Sequence, residues 1–179
     1  MKKNRSFHSA GFSLVEMLIS ISILTLIFGI IFSTMKAAKS QASSVVCAGK
    51  LRDIGVALNS WTGDHGLKFP ELAAARDSRN DDVPVMDTEL REYLPDEYAF
   101  QCPSDHQQIF EKTGSSYFWN SLINGQMIGN MDLLGITSIE TGIPIASDKE
   151  NFHKSVGDEV NILYADGHVD KQLQFIVDP

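Results

Sequence analysis

Glu16 is the residue in this chain whose placement most demands a chemical explanation. From Phe12 to Phe32 it is the only charged side chain in an otherwise apolar and hydroxyl-bearing run. A carboxylate inside such a span costs on the order of 3 kcal/mol to insert into a bilayer, so it reads as functional by default. The competing reading is that Glu16 sits near an interface and its carboxylate snorkels into water. Two cysteines, Cys47 and Cys102, form the next pair able to do chemistry. No C-x-x-C and no local Cys/His cluster surrounds them, which argues against a zinc site. In an exported domain two cysteines suggest one disulfide, because the compartment is oxidising. The other reading is two separate buried thiols.

A third set lies near the C-terminus. Asp148, His153, Asp166, His168 and Asp170 could be drawn together as a metal or catalytic cluster. Of these, Asp148, Asp166 and Asp170 are the candidates for a Ca²⁺ site built from loop carboxylates and carbonyls. The simpler reading is local: Asp166 is present because a tight turn favours Asp-Gly, and His168 and Asp170 alternate outward on a strand. No G-x-S-x-G element and no Gly-rich phosphate loop occurs, and no His stands beside a candidate Ser in a strand-turn-helix context. The expectation is a protein that is not an enzyme and has no cofactor beyond that calcium possibility.

Composition bounds the rest. The chain has 179 residues, 43% hydrophobic and 21% charged, enough for one ordinary domain plus an appendage. Its formal charge is −8, which gives nucleic acid no general reason to bind through its phosphates. The charge is asymmetric: Lys2, Lys3 and Arg5 precede the apolar run, and no acid occurs before Glu16. Losing residues 1–11 removes those three positive charges and takes the chain from −8 to −11.

The elements that would position these residues follow from periodicity. The run from Phe12 is long enough to cross a bilayer as a helix, which needs about 20 apolar residues. The small residues Ala10 and Gly11 precede it, so it is not an ordinary signal peptide cut on its far side. The basic leader stays in the cytoplasm and the C-terminal bulk crosses. No proline occurs between Phe12 and Pro70. Cys47, Leu51, Ile54, Leu58 and Trp61 fall at spacings of 4, 3, 4 and 3, a single helical stripe. One helix is therefore expected from about Ser13 to about Thr62, with Gly63 and Gly66 bracketing its stop. The polar run Asp77, Arg79, Asp81 and Asp82 reads as a solvated loop. A short helix is expected over Asp87–Tyr93, capped by Asp87 or Thr88 and ended by Pro95. Strands are expected at Tyr117–Trp119, Ile143–Ala146, Val160–Ala165 and His168–Leu173. The last two flank Asp166-Gly167, which predicts a type I′ hairpin. Pro144 suggests an edge strand or a strand start.

The string G-F-S-L-V-E, with Gly11, Phe12 and Glu16 at these offsets, resembles the class III leader motif of type IV prepilins and type II secretion pseudopilins. The resemblance implies that a prepilin peptidase cuts after Gly11, that Phe12 is then N-methylated, and that Glu16 pairs with the Phe12 amine of a neighbouring subunit during assembly. A buried carboxylate and a buried ammonium each cost several kcal/mol alone, so their pairing can set register between helices. The segments LRDIGVALNSW, CPSD (Cys102–Asp105), SYFWN (Ser116–Asn120) and YADGHVD look like the prepilin-type proteins with a "processing-associated" His-X9-Asp-Gly domain. Here twelve residues separate His153 from Asp166, a departure from that spacing.

The resulting expectation is an α+β, pilin-like fold. Residues 1–11 form a leader, 12–33 the transmembrane half of the helix, 34–64 its amphipathic half, and 65–179 a globular domain with a small antiparallel sheet packed on that half. The protein would sit in the bacterial inner membrane as a single-pass subunit with its C-terminal domain in the periplasm. Its expected partners are copies of itself and other pilin-like subunits, the prepilin peptidase and an inner-membrane assembly platform, with no nucleic acid. The role would be that of a pilin or pseudopilin in a type IV pilus or type II secretion system. The rival reading is a signal-anchored periplasmic binding protein or enzyme that never assembles.

Overall fold

A computed structural model describes residues 13–135, 138–154, 160–171 and 173. The leader, with Gly11 and Phe12, lies outside the described residues. The chain divides into two compact units, Met1–Ala38 and Lys39–Pro179. Its first element, α1 (Leu14–Asp64), is a single helix of 51 residues, about 75 Å long at 1.5 Å per residue. With no proline in it, nothing in the sequence interrupts the hydrogen-bond ladder.

In the first unit α1 is apolar all round, and the side chains from Leu14 to Phe32 are exposed. Leu14–Phe32 is long and apolar enough to cross a membrane. Its hydroxyls are turned back onto the helix: Ser20 Oγ donates to Glu16 O (2.7 Å), Ser22 Oγ to Leu18 O (2.8 Å) and Thr25 Oγ1 to Ser22 O (2.9 Å). Those polar groups are thereby satisfied within the helix, as hydrocarbon surroundings require.

In the second unit α1 becomes one-sided. Cys47, Leu51, Ile54 and Leu58 are buried at 0–1% exposure, and Trp61 is half-buried and stacked on His65 with centroids 3.8 Å apart. The helix stops at Gly66, whose φ of 72° provides the left-handed C′ conformation. Leu67 N then donates to Thr62 O at 2.8 Å, the long bond of a Schellman cap. Gly63, in the last turn, and Gly66, just past it, bracket the end at Asp64.

The sheet has the order β1-β2-β3-β4, all antiparallel, from β1 (Tyr117–Trp119), β2 (Pro144–Asp148), β3 (Ile162–Tyr164) and β4 (Val169–Asp170). Tyr117 pairs with Asp148, and Leu163 with Val169. Leu163 is fully buried and packs on α1 at Gly55, where an added Cβ would lie 3.2 Å from Leu163 Cδ1. Pro144 begins an interior strand, not an edge one. A register shift between Pro144 and Ala146 absorbs its missing N–H.

Two local expectations are corrected. The short helix α2 (Met86–Glu89) is followed by a 3₁₀ turn at Arg91–Tyr93. Its N-cap is Val85, with Thr88 Oγ1 accepting from Val85 N at 3.1 Å. Asp87 does not cap it, because its carboxylate is paired with Arg76. The β3–β4 connection is not type I′. Gly167 N donates to Tyr164 O (2.9 Å) and Tyr164 N to His168 O (2.9 Å). Of the turn residues only Gly167 has positive φ, at 87°. That is the three-residue loop in which a type I turn is followed by a glycine bulge. Asp166 Oδ1 accepts from His168 N at 3.1 Å and holds the turn from within.

Candidate functional site

The chemistry-bearing residues fall into two places. The first is the start of α1. Ser13 O accepts from Glu16 N (3.0 Å) and Met17 N (3.2 Å), which opens the helix and puts Glu16 in its first turn, exposed. A carboxylate there is favoured by the partial positive charge of the helix N-terminus. Every described side chain beyond it to Phe32 is uncharged. The arrangement therefore offers one negative group at the head of an oily rod.

The second place is a polar cluster inside the globular unit. Cys47, from α1, and Cys102, from the segment ahead of α3 (Ile109–Thr113), are joined in a disulfide. His153 follows β2 and is fully buried. Its Nε2 lies 3.5 Å from Cys102 Sγ and 3.6 Å from Asp148 Oδ2. A disulfide sulfur carries no proton, so the donor in the contact with Cys102 is the Nε2–H. Asp148, closing β2, accepts at Oδ2 from Asn161 N (2.7 Å) and Asn161 Nδ2 (2.9 Å). Its Oδ1 and the Oδ1 of Asn161 have no hydrogen-bond partner among the described residues. Burial pushes the Asp148 carboxyl up to about 6, against the pull of the two Asn161 N–H groups. Burial, and then the charges of Asp148 and Asp105, hold the Tyr117 phenol well above its ordinary value.

The structure distributes the other sequence candidates differently. Asp166 sits in the hairpin turn paired with His168 Nδ1, and the His168 ring stacks on Tyr164 at 4.4 Å. Asp170 is on β4. Asp148, Asp166 and Asp170 do not come together as a ligand group among the described residues.

Several residues that sequence reasoning passed over turn out to hold the architecture. Asp105, the last of the CPSD motif, accepts from Ile109 N (3.0 Å) and Phe110 N (2.7 Å) and from Ser116 Oγ (2.9 Å). Ser116 Oγ in turn accepts from Cys102 N (3.1 Å). The CPSD and SYFWN motifs thus form one hydrogen-bonded unit beside the disulfide. The available signal was an Asp four residues before the first apolar residue of a short helix. The Arg76–Asp87 pair, with side chains 9% and 12% exposed, had no sequence signal.

Several hollows open on the globular unit. One, about 310 Å³, is lined by Phe118, Pro144, Ala146, Ile162 and Leu173, with Asn120 and Ser147 as its polar members. Another, about 410 Å³, is lined by Arg76, Arg79, Arg91, Asp87 and Glu97, with Arg76 paired to Asp87 and Arg79 to Glu97.

Compared with known proteins, residues 6–32 match the family model described as the prokaryotic N-terminal methylation motif. No curated protein and no solved structure matches the chain. That motif implies processing by a prepilin peptidase and assembly into pilin-like filaments, and the apolar helix it opens suggests a membrane anchor. The matched N-terminus, the apolar helix it opens and the small antiparallel sheet fit a precursor of the type IV pilin-like family.

Proposed function

We propose that the protein is a structural subunit of a type II secretion pseudopilus or a type IV pilus-like filament, and that its work is assembly, not turnover. The observation that carries this reading is Glu16, the lone charge in the first turn of an exposed apolar helix. Cleavage after Gly11 leaves a free amine on Phe12, four residues from Glu16. Packed among copies of itself, the helix brings one subunit's Glu16 to another's amine. Each ion neutralises a charge that would otherwise be stranded in an apolar environment. Processing by the prepilin peptidase, methylation of Phe12 and handover to an inner-membrane assembly platform precede that step. The globular unit lies on the periplasmic side, opposite the basic leader.

Two substitutions test the proposal in cells. Glu16→Ala is expected to leave cleavage intact and abolish incorporation into filaments, read by shearing filaments from cells and blotting. Normal incorporation would remove Glu16 from the assembly step. Gly11→Leu is expected to leave the precursor uncut. Mass spectrometry of the wild-type chain should give residues 12–179 plus one methyl group. A wild-type chain that kept its leader would instead favour an anchored protein that never assembles.

A further inference from the structure

We propose that reduction of the Cys47–Cys102 disulfide converts the buried cluster around it into a binding site for a thiophilic divalent cation such as zinc, with Cys47, Cys102 and His153 as ligands and Asp148 as the fourth donor. This site is independent of the filament assignment. Cys47 Sγ, Cys102 Sγ and a ring nitrogen of His153 all lie within 4.8 Å of one another, and all three residues are buried at 0–1% exposure. One His153 nitrogen, Nε2, faces both Cys102 Sγ (3.5 Å) and Asp148 Oδ2 (3.6 Å). The ligating nitrogen therefore already lies beside one of the sulfurs and beside the carboxylate. Two thiolates, one imidazole and one carboxylate are a donor set suited to tetrahedral zinc.

The supporting shell is present as well. Asn161 fixes the Asp148 carboxylate through two N–H groups, and Asp148 Oδ1 is buried with no partner among the described residues. A carboxylate so held, with unused acceptor capacity, is oriented in the way ligands of metal sites are. The ligands come from three separated segments. Cys102 is 55 residues from Cys47 and 51 from His153, which is why no local ligand spacing reveals them.

The chemistry balances with a dithiol as reductant. Two electrons and two protons pass from the dithiol to the disulfide; the S–S bond breaks, two thiols form, and the dithiol closes to its own disulfide. On cation binding both thiol protons leave to solvent, and the imidazole shifts to its Nδ1–H tautomer, freeing the Nε2 lone pair. Each sulfur then takes a position about 2.3 Å from the metal. Cys47 is fixed in α1, so the accommodation falls on the irregular segment that carries Cys102.

The test uses the full chain in nonionic detergent, reduced with a phosphine under argon, freed of reductant and titrated with cobalt(II). The reduced chain should bind one equivalent, with thiolate-to-cobalt charge-transfer bands and the ligand-field bands of four-coordinate cobalt, and zinc(II) should displace it. The unreduced chain should show neither set of bands. X-ray absorption of the zinc form should fit two sulfurs and at least one imidazole. His153→Phe, checked for folding by circular dichroism in its disulfide form, should weaken cobalt binding in the reduced form at least about tenfold, the lower range for losing even a partner of a ligand. A reduced wild-type chain without those bands, equal binding by the disulfide form, a zinc shell lacking imidazole, or unchanged affinity in folded His153→Phe would each overturn the site.

Discussion

Burying Asp148 sets up an electrostatic cost that depends on pH. Its carboxyl is raised from 3.8 to about 6 in the folded chain, chiefly by burial. The sign follows from proton counting. Between those values the unfolded chain has released the proton while the folded chain still holds it, so stability falls as pH rises. The penalty is absent below the unfolded value and complete above about 6. It amounts to roughly 3 kcal/mol, since each tenfold weakening of an acid corresponds to about 1.4 kcal/mol. The titrating groups that face Asp148 are His153, at 3.6 Å, and Tyr117, its cross-strand partner. With the disulfide intact, Asp148→Asn should remove this slope, and denaturant midpoints from pH 4 to 7 should diverge from wild type as pH rises, in the variant's favour. Parallel curves would show that the carboxyl does not titrate in this window. Glu16 was legible as a special residue because its surroundings are consecutive in sequence. Asp148 was legible as a candidate ligand but not as the neighbour of Asn161 and the disulfide, because these reach it across connections whose path nothing local encodes.

At the scale of elements, the long helix could be read almost to its ends. A period of 3.6 and the absence of proline are properties of neighbouring residues. The sheet strands were also readable, yet the turn between β3 and β4 was not. Asp-Gly serves both a type I′ turn and a type I turn with a glycine bulge, and the choice depends on which residues the strands pair. Glycine separates two further cases. Gly167 has φ 87° and open space around its Cβ position, whereas at Gly114, φ 89°, a Cβ would lie 2.3 Å from both the Arg76 guanidinium and Asp87 Oδ2. Gly167→Ala should therefore cost only the left-handed backbone, about 1 kcal/mol. Gly114→Ala should cost that and also displace a largely buried ion pair, so its loss should exceed about 1 kcal/mol. Thermal melts of the two variants should rank Gly114→Ala well below Gly167→Ala. Equal losses would mean that the Arg76–Asp87 pair shifts aside freely.

For the whole molecule, the two units answer to different solvents. The first exposes an apolar helix surface that water disfavours and a bilayer accepts. The second has a core built on the α1 stripe, with α2 (Met86–Glu89), α3 and much irregular chain around a four-stranded sheet of short strands. A domain with so much irregular backbone gains from a covalent tie, and Cys47–Cys102 ties α1 to the segment before α3 across 55 residues. In the chain-entropy model, closing a loop of that length contributes about 4 kcal/mol. Replacing both cysteines by serine should lower the unfolding free energy of the globular unit by about that amount, because the loss resides in its unfolded ensemble. The apolar helix is untouched by the change, so the variant should fractionate with membranes as wild type does. Limited proteolysis of isolated membranes should then cleave the variant within residues 65–154 at protease levels that wild type withstands. Equal resistance would mean that the CPSD–SYFWN hydrogen bonds and the α1 stripe already hold the domain, leaving the disulfide to serve its surroundings in some other way than stability.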